Sequence, residues 1–233
     1  MLRSALIIKP FKPAQGLKTN LMKKIFLYCL LCVSAIGCGP QIYKSSNFDT
    51  ALARHRTVAI LPAEVNMQLR PNQVKNMSAE QFADLSVKTG YDIQDKMYSW
   101  FLRKGSKFKY TVTFQDITKT NAKLKEAGIN YADLKMTDRT KIASILVVDA
   151  VLQDRANMEK PMSEGAAVAV GVLLGAWGST NKVQTTINIH DGKSGELLWK
   201  YDYQAQGSVG SSTTSLVDAL MRNAARKFPY STK

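Results

Sequence analysis

Val183-Gln184-Thr185-Thr186-Ile187-Asn188-Ile189-His190-Asp191-Gly192-Lys193-Ser194-Gly195-Glu196-Leu197-Leu198-Trp199-Lys200-Tyr201-Asp202-Tyr203 is the stretch whose reading decides the fold. Val183, Thr185, Ile187 and Ile189 recur at every second position, and so do Leu197, Trp199, Tyr201 and Tyr203. Successive side chains of a strand point to opposite faces, so each run presents one half-buried face. Between the runs, His190 to Gly195 is dense in turn-forming residues. The spacing predicts a β-hairpin.

Working outward toward the amino terminus, Ile145-Leu146-Val147-Val148-Asp149-Ala150-Val151-Leu152 predicts a strongly apolar strand, and Thr57-Val58-Ala59-Ile60-Leu61-Pro62 a buried one closed by proline. Between them, Ser78-Ala79-Glu80-Gln81 fits a capping box, with Ser78 as N-cap and Gln81 reaching back. Phe82, Leu85, Ile93, Met97, Trp100 and Phe101 follow at mostly helical spacing, with Gly105 as a stop and Gly90 as a weak point. That aromatic stripe is read as core rather than as a ligand box.

Phe108 to Gln115 alternates as a strand through Phe108, Tyr110, Val112 and Phe114. Asp116 or Thr118 opens a short helix to Ala127, closed by Gly128, and Thr137 caps another through Ala143. Toward the carboxyl terminus, Ser212 or Thr213 caps a last helix carrying Leu216, Leu220, Met221, Ala224 and Phe228, ended by Pro229. Helices and strands in this order argue a mixed sheet covered by helices, an α/β or α+β single compact domain.

The amino terminus has a different character. Met22-Lys23-Lys24 precedes an eleven-residue, largely apolar run, Ile25 to Ala35, and then Ile36-Gly37-Cys38. A basic head, a short apolar stretch and a small-residue exit define a secretory signal. The run is too short for a transmembrane helix, which needs roughly 20 residues. Residues 1–21 read as an upstream start, because a natural signal head begins at Met22. The organisation expected is a signal peptide over 1–37, a tether over 38–56, mostly polar and aperiodic to His55, and the domain over 57–233.

Ala35-Ile36-Gly37-Cys38 resembles the bacterial lipobox, with Ala35 where Leu is commonest. The resemblance implies lipid on Cys38, and at about 0.8 kcal/mol per buried CH₂ the acyl chains hold a domain at a membrane. The alternative is an ordinary secretory signal with Cys38 incidental. Gly39 follows where inner-membrane retention signals have Asp, so outer-membrane placement facing the periplasm is expected. No acidic run follows that would hint at surface export.

The cysteines and the charge agree with export. Cys29, Cys32 and Cys38 are the only three cysteines, all in the signal region, so the C-x-x-C spacing is not read as a redox motif and no disulfide is expected within the mature chain. Six of the 32 Lys and Arg and none of the 18 Asp and Glu precede Cys38, which leaves 26 against 18, or about +8, on the mature chain. A mildly basic surface suits anionic lipid, cell-wall polymer or an acidic partner. Basic residues scattered along an exported chain argue against nucleic acid. The 196 residues that remain of 233 are enough for one domain with a substantial core.

Three features occur in order: the strand Val58-Ala59-Ile60-Leu61-Pro62; a short helix with Asn121, Leu124 and Ala127, closed by Gly128, ahead of Val148-Asp149-Ala150-Val151; and the hairpin Asp191-Gly192-Lys193-Ser194-Gly195-Glu196-Leu197-Leu198-Trp199. This set, from about Thr57 to Phe228, resembles a group of periplasm-facing lipoproteins. The group includes the curli secretion channel subunit, the lipoprotein activators of penicillin-binding proteins and the GNA-type lipoproteins. The resemblance implies a compact α/β domain that works by binding other envelope components and is not an enzyme. No binding residues carry over.

Residue by residue, catalytic chemistry is not expected either. His55 and His190 are the only histidines. A Ser-His-Asp arrangement would have to be built around a turn residue. No His, Cys, Asp or Glu cluster suggests a metal, and His190-Asp191 reads as a solvated turn rather than a weak ligand pair. Neither G-x-x-x-x-G-K-[ST] nor a G-x-G-x-x-G after a strand is present, so no cofactor is expected.

One segment stands apart: Gly165-Ala166-Ala167-Val168-Ala169-Val170-Gly171-Val172-Leu173-Leu174-Gly175-Ala176-Trp177-Gly178. It is apolar on every side, and Gly171 and Gly175 have a G-x-x-x-G spacing that allows close helix approach. Three readings stand: a buried helix or crossover, an exposed element that self-associates or docks on a partner, or an insertion into the outer membrane. Alternation of the kind a barrel strand needs is missing. Gly171, Leu173, Leu174, Gly175 and Trp177 are the candidate assembly or membrane contacts. The function expected is a non-enzymatic docking module for an envelope protein, held to the membrane by lipid on Cys38. The alternative is a homo-oligomeric secretion or structural complex assembled through 165–178.

Overall fold

A computed structural model of the chain describes residues 41–68, 75, 77–159, 182–205, 213–225 and 227–232. Its elements are β1 (Gln41–Lys44), α1 (Phe48–Leu52), β2 (Thr57–Ile60), β3 (Glu64–Gln68), α2 (Ala79–Phe108), β4 (Thr113–Phe114) and α3 (Ile117–Glu126). A 3-10 turn at Tyr131–Asp133 then leads to α4 (Arg139–Leu146), β5 (Ala150–Glu159), β6 (Lys182–Asp191), β7 (Leu197–Ala205) and α5 (Thr213–Ala224).

The predicted hairpin is present as β6 and β7, antiparallel, with Val183 opposite Ala205 and Ile189 opposite Trp199. It lies inside a seven-stranded mixed sheet of order β1-β7-β6-β5-β2-β4, with β3 paired to the far half of β5. The bonds on the β2 side, β4–β2, β2–β5 and β3–β5, are parallel; those from β5 through β6 and β7 to β1 are antiparallel. This is the α/β class expected from the order of elements.

Two cores use the two faces. On one, α2 and α5 bury Ile93, Met97, Trp100, Phe101, Leu220 and Met221 against Val58, Ile60, Leu152, Ile187, Ile189, Trp199 and Tyr201. Phe101 stacks on Phe114 at 4.2 Å between ring centroids and lies 4.9 Å from Phe228, which draws β4 and the carboxyl-terminal segment onto the same core. On the other face, Leu124, Leu134, Ile142 and Leu146 cover Ala59, Leu61 and Val151.

Helix α2 starts where the sequence places it. Ser78 Oγ accepts from the Gln81 N–H at 3.1 Å, and Gln81 Oε1 accepts from the Ser78 N–H at 2.9 Å. It passes Gly105 and ends three residues later, where the Lys109 N–H bonds to the Gly105 carbonyl. Nor does Gly90 weaken it. The Ala63 N–H donates to the Gly90 carbonyl at 3.0 Å, and a Cβ on Gly90 would stand 2.4 Å from the Ala63 oxygen and 2.5 Å from Tyr131 Cε2. This glycine is what lets the helix reach the sheet.

The structure differs from the sequence reading elsewhere too, and α5 ends at Ala224, so Phe228 and Pro229 lie beyond the helix expected to include Phe228. The segment from Gly39 to His55, read as tether, is folded from Gln41: β1 pairs with β7, and Phe48, Ala51 and His55 are buried. Its brevity and polarity hid a four-residue edge strand. The polar stretch after Pro62 contains β3, whose outward side chains are polar. Phe108 belongs to α2, and only Thr113–Phe114 of the expected Phe108–Gln115 strand pairs, in parallel with β2.

Finally, Ile145 and Leu146 close α4, whose N-cap is Asp138 rather than Thr137, and the strand begins only at Ala150. Val147 separates the two in a left-handed conformation, φ 57°, that lets its N–H bond back to Ala143 and Ser144. A β-branched residue is strained there. The run of Ile, Leu and Val signalled strand, but the turn of α4 buries Ile142, Ala143 and Leu146 and wins.

Candidate interaction surfaces

The turn between β6 and β7 holds the most connected polar cluster of the described residues. His55 Nε2 lies 2.9 Å from Asp191 Oδ1, and His55 Nδ1 lies 2.7 Å from the Tyr230 hydroxyl. The Ser194 N–H and hydroxyl both donate to Asp191 Oδ2 at 2.8 Å. Burial would push the Asp191 carboxyl up, but the hydrogen bonds from His55 and Ser194 outweigh it and hold the group below the usual carboxylate range. His, Asp and Ser are therefore adjacent, but in the wrong order for nucleophile activation. A triad needs the histidine to bond the serine, and here both ring nitrogens are taken by Asp191 and Tyr230. The cluster instead ties the amino-terminal segment, the hairpin turn and the carboxyl terminus together.

His190 is spent in the same turn. Its Nδ1 faces the Gly195 carbonyl at 3.2 Å, and burial pushes its pKa down, so the ring stays neutral and its N–H donates there. Gly192 fits because its N–H bonds the Asp149 carbonyl at 2.7 Å; a Cβ would meet that oxygen at 2.7 Å and Ala143 Cβ at 2.8 Å. Sequence reading missed His55 as a buried hub. It occurs in a polar stretch, and nothing local announces a partner 136 residues away.

A second feature forms where β2 passes into β3. Ile60 is opposite Leu152 and Glu64 opposite Arg155, so four steps on one strand match three on the other. The extra residue kinks the chain at Pro62, which has no N–H to offer the ladder. Tyr131 repairs the gap: its hydroxyl donates to the Ala63 carbonyl at 2.7 Å and accepts from the Val65 N–H at 3.1 Å. Burial pushes the phenol up to about 12, which keeps the donated proton in place. Beside this kink, a cavity of about 240 Å³ opens between β3, α2 and the Tyr131 turn. Gln153 lines it, is 5% exposed, and has its Nε2 buried without a hydrogen-bond partner. Such an orphan costs about 1–3 kcal/mol in the free protein.

The third feature is the sheet's open side. Strand β1 is an edge; its four residues are all exposed, among them Ile42 and Tyr43. Away from the α2 core, β5 to β7 and β3 present a polar face. Thr186 donates to Asp202 at 2.6 Å, Lys200 pairs with Asp202 at 3.0 Å, Arg155 with Glu64 at 2.9 Å, and Asn66 donates to Asn157 at 3.0 Å. An edge strand with unpaired backbone groups is a template for another strand.

Cys38 and the candidate contacts Gly171, Leu173, Leu174, Gly175 and Trp177 lie outside the described residues. The strands that lead to them do not. β5 and β6 stay paired to Glu159 opposite Lys182, so the chain leaves and re-enters the sheet at neighbouring positions. Gln41, opposite Asp202, points β1 to that same end of the sheet.

No family model matches the chain, and no curated protein matches it. Similar solved structures exist. Lipoprotein GNA1162 from Neisseria meningitidis is 17% identical over 73% of this chain and 94% of that one, with a TM-score of 0.38. The LpoB C-terminal domain from Salmonella enterica is 11% identical over 66% and 84%, with a TM-score of 0.34. The PelC dodecamer from Paraburkholderia phytofirmans is 12% identical over 80% and 95%, with a TM-score of 0.39. The first is a lipoprotein of the GNA type that the sequence resembles.

Proposed function

We propose that this chain is an outer-membrane lipoprotein, acylated on Cys38, facing the periplasm and acting as a non-enzymatic docking module for a protein of the cell envelope. The observation that carries the reading is the open edge of β1, which begins three residues after the cysteine of the lipobox. Three extended residues span at most about 10 Å, so lipid on Cys38 would keep that edge near the membrane surface. An edge strand recognises a partner through backbone hydrogen bonds and through the side chains beside it, here Ile42 and Tyr43.

Metabolic labelling with a palmitate analogue, followed by membrane fractionation, tests the reading. Wild-type chain should carry label and sediment with outer membranes, and Cys38→Ser should lose both. Label retained by Cys38→Ser, or wild-type chain free of membranes, would sink it.

A second reading has its own support. β5 and β6 bring Glu159 and Lys182, which flank the apolar segment in the chain, together at the end of the sheet from which β1 enters, and from there 165–178 would join neighbouring copies or enter the bilayer. Size in detergent separates the two. A large assembly that collapses when 165–178 is deleted favours the complex; small, equally soluble species favour the docking module.

A further inference from the structure

We propose that the β1 edge pairs with the β1 edge of a second copy of this chain, antiparallel and centred on Tyr43, so that two sheets become one across a two-fold axis. This rests on the docking reading of that edge and names the strand that meets it.

The hydrogen-bond alternation of β1 fixes what the edge offers. The Ser45 N–H donates to the Leu198 carbonyl at 3.0 Å, so Ser45 faces β7, and by alternation Tyr43, opposite Lys200, and Gln41, opposite Asp202, bond inward too. The N–H and C=O groups of Ile42 and Lys44 therefore point outward, and among the described residues no strand meets them. Two antiparallel copies share an axis perpendicular to the sheet, so these outward groups must face one another across it. Centring on Ile42 sets Lys44 against Pro40, which has no N–H. Centring on Lys44 puts like charges face to face and sets Ile42 against Ser46, beyond the end of the strand. Centring on Tyr43 pairs Ile42 with Lys44 of the second copy and Lys44 with its Ile42, and uses every outward group.

The side chains agree with that register. Ile42 and Tyr43 are exposed in the single chain. Across the axis the two Tyr43 rings meet on the polar face, at a pair without hydrogen bonds, where strands approach most closely. Lys44 keeps its charge over Phe48, 4.7 Å from the ring centroid, and lays its stem against Ile42 of the second copy. Four residues a side are far fewer than the roughly 20–30 of a stable interface, so the pair is weak in dilute solution. Lipid on Cys38 changes that by holding copies together at a high local concentration. Five residues separate Cys38 from Tyr43, at most about 18 Å when extended. Both anchors therefore reach one leaflet, with the two-fold axis along its normal.

Disulfide trapping tests the register. It is run on the acylated chain in phosphatidylethanolamine–phosphatidylglycerol vesicles and on the soluble mature chain carrying Cys38→Ser at about 1 mM, the effective concentration a short tether supplies. Tyr43→Cys should give a covalent dimer under mild oxidant in both, because facing Cα atoms of such a pair lie roughly 4.5 Å apart, within disulfide reach. Gln41→Cys, on the same face but four residues out of register with its copy, should stay monomeric. Added to Tyr43→Cys, Ile42→Lys sets like charges against Lys44 and should cut the dimer yield at least about threefold, whereas Ile42→Glu sets opposite charges there and should raise it. Both changes fall at an exposed position of an edge strand, which leaves the fold intact. No dimer from Tyr43→Cys in the soluble chain, an equal yield from Gln41→Cys, or the same response to Ile42→Lys and Ile42→Glu would each overturn the proposal. The soluble arm needs no lipid, so failure of the Cys38 labelling test leaves the pairing readable, and failure of the pairing leaves the labelling test standing.

Discussion

Asp154 is a carboxylate placed in the core. It follows Gln153 on β5, accepts from Thr185 Oγ1 at 2.6 Å, and is 2% exposed. Burial pushes its pKa up to about 6 against the hydrogen bonds from Thr185 and two backbone N–H groups. A raised folded value means its favourable contribution is complete below the unfolded value near 4 and is lost as pH rises through 6. At one pKa unit per 1.36 kcal/mol, the ionised group costs the protein about 2–3 kcal/mol at pH 8. Asp154→Asn keeps an acceptor for Thr185 and removes the charge. Its melting temperature should match wild type near pH 4 and exceed it at pH 8, by the equivalent of about 2 kcal/mol. A difference independent of pH would show that the carboxyl is not the cause. Neither Asp154 nor the hub at His55 was visible in the sequence, because each is defined by what the sheet brings against it.

Among the elements, α2 offers a test with an internal control. Gly90 and Gly105 are both helical, and propensity alone would favour alanine at each by about 1 kcal/mol. Gly105→Ala should gain that, since nothing lies within 4 Å of its Cβ position. Gly90→Ala should instead lose about 1–3 kcal/mol by overpacking, because the new methyl meets the Ala63 carbonyl and the Tyr131 ring. Urea unfolding of both variants reads the opposite signs. The capping box, the amphipathic stripe and the β6–β7 hairpin were readable in sequence, since each depends on spacing within one element. Strand β3 and the true start of β5 were not, because the first is polar on its open side and the second is set by the left-handed turn at Val147. The cavity has no local signature at all: it exists only where α2 and the Tyr131 turn close beside β3.

For the whole molecule, the amino-terminal segment is part of the fold. Phe48 and Ala51 belong to the main core, and His55 joins Asp191 and Tyr230. A chain beginning at Thr57 should therefore lose at least about 3–5 kcal/mol, the cost of emptying a buried aromatic site alone, and show a lower urea midpoint than one beginning at Pro40. Equal midpoints would return the segment to the role of tether. The pairing of β1 with β7 also has a mechanical side. Tension reaching Gln41 along the strand axis loads the pairs from Gln41–Asp202 to Lys44–Trp199 together, in shear, instead of peeling them one by one. Behind them, Phe48 and His55 form a second catch, so the domain withstands a lengthwise pull at the point where its leash begins.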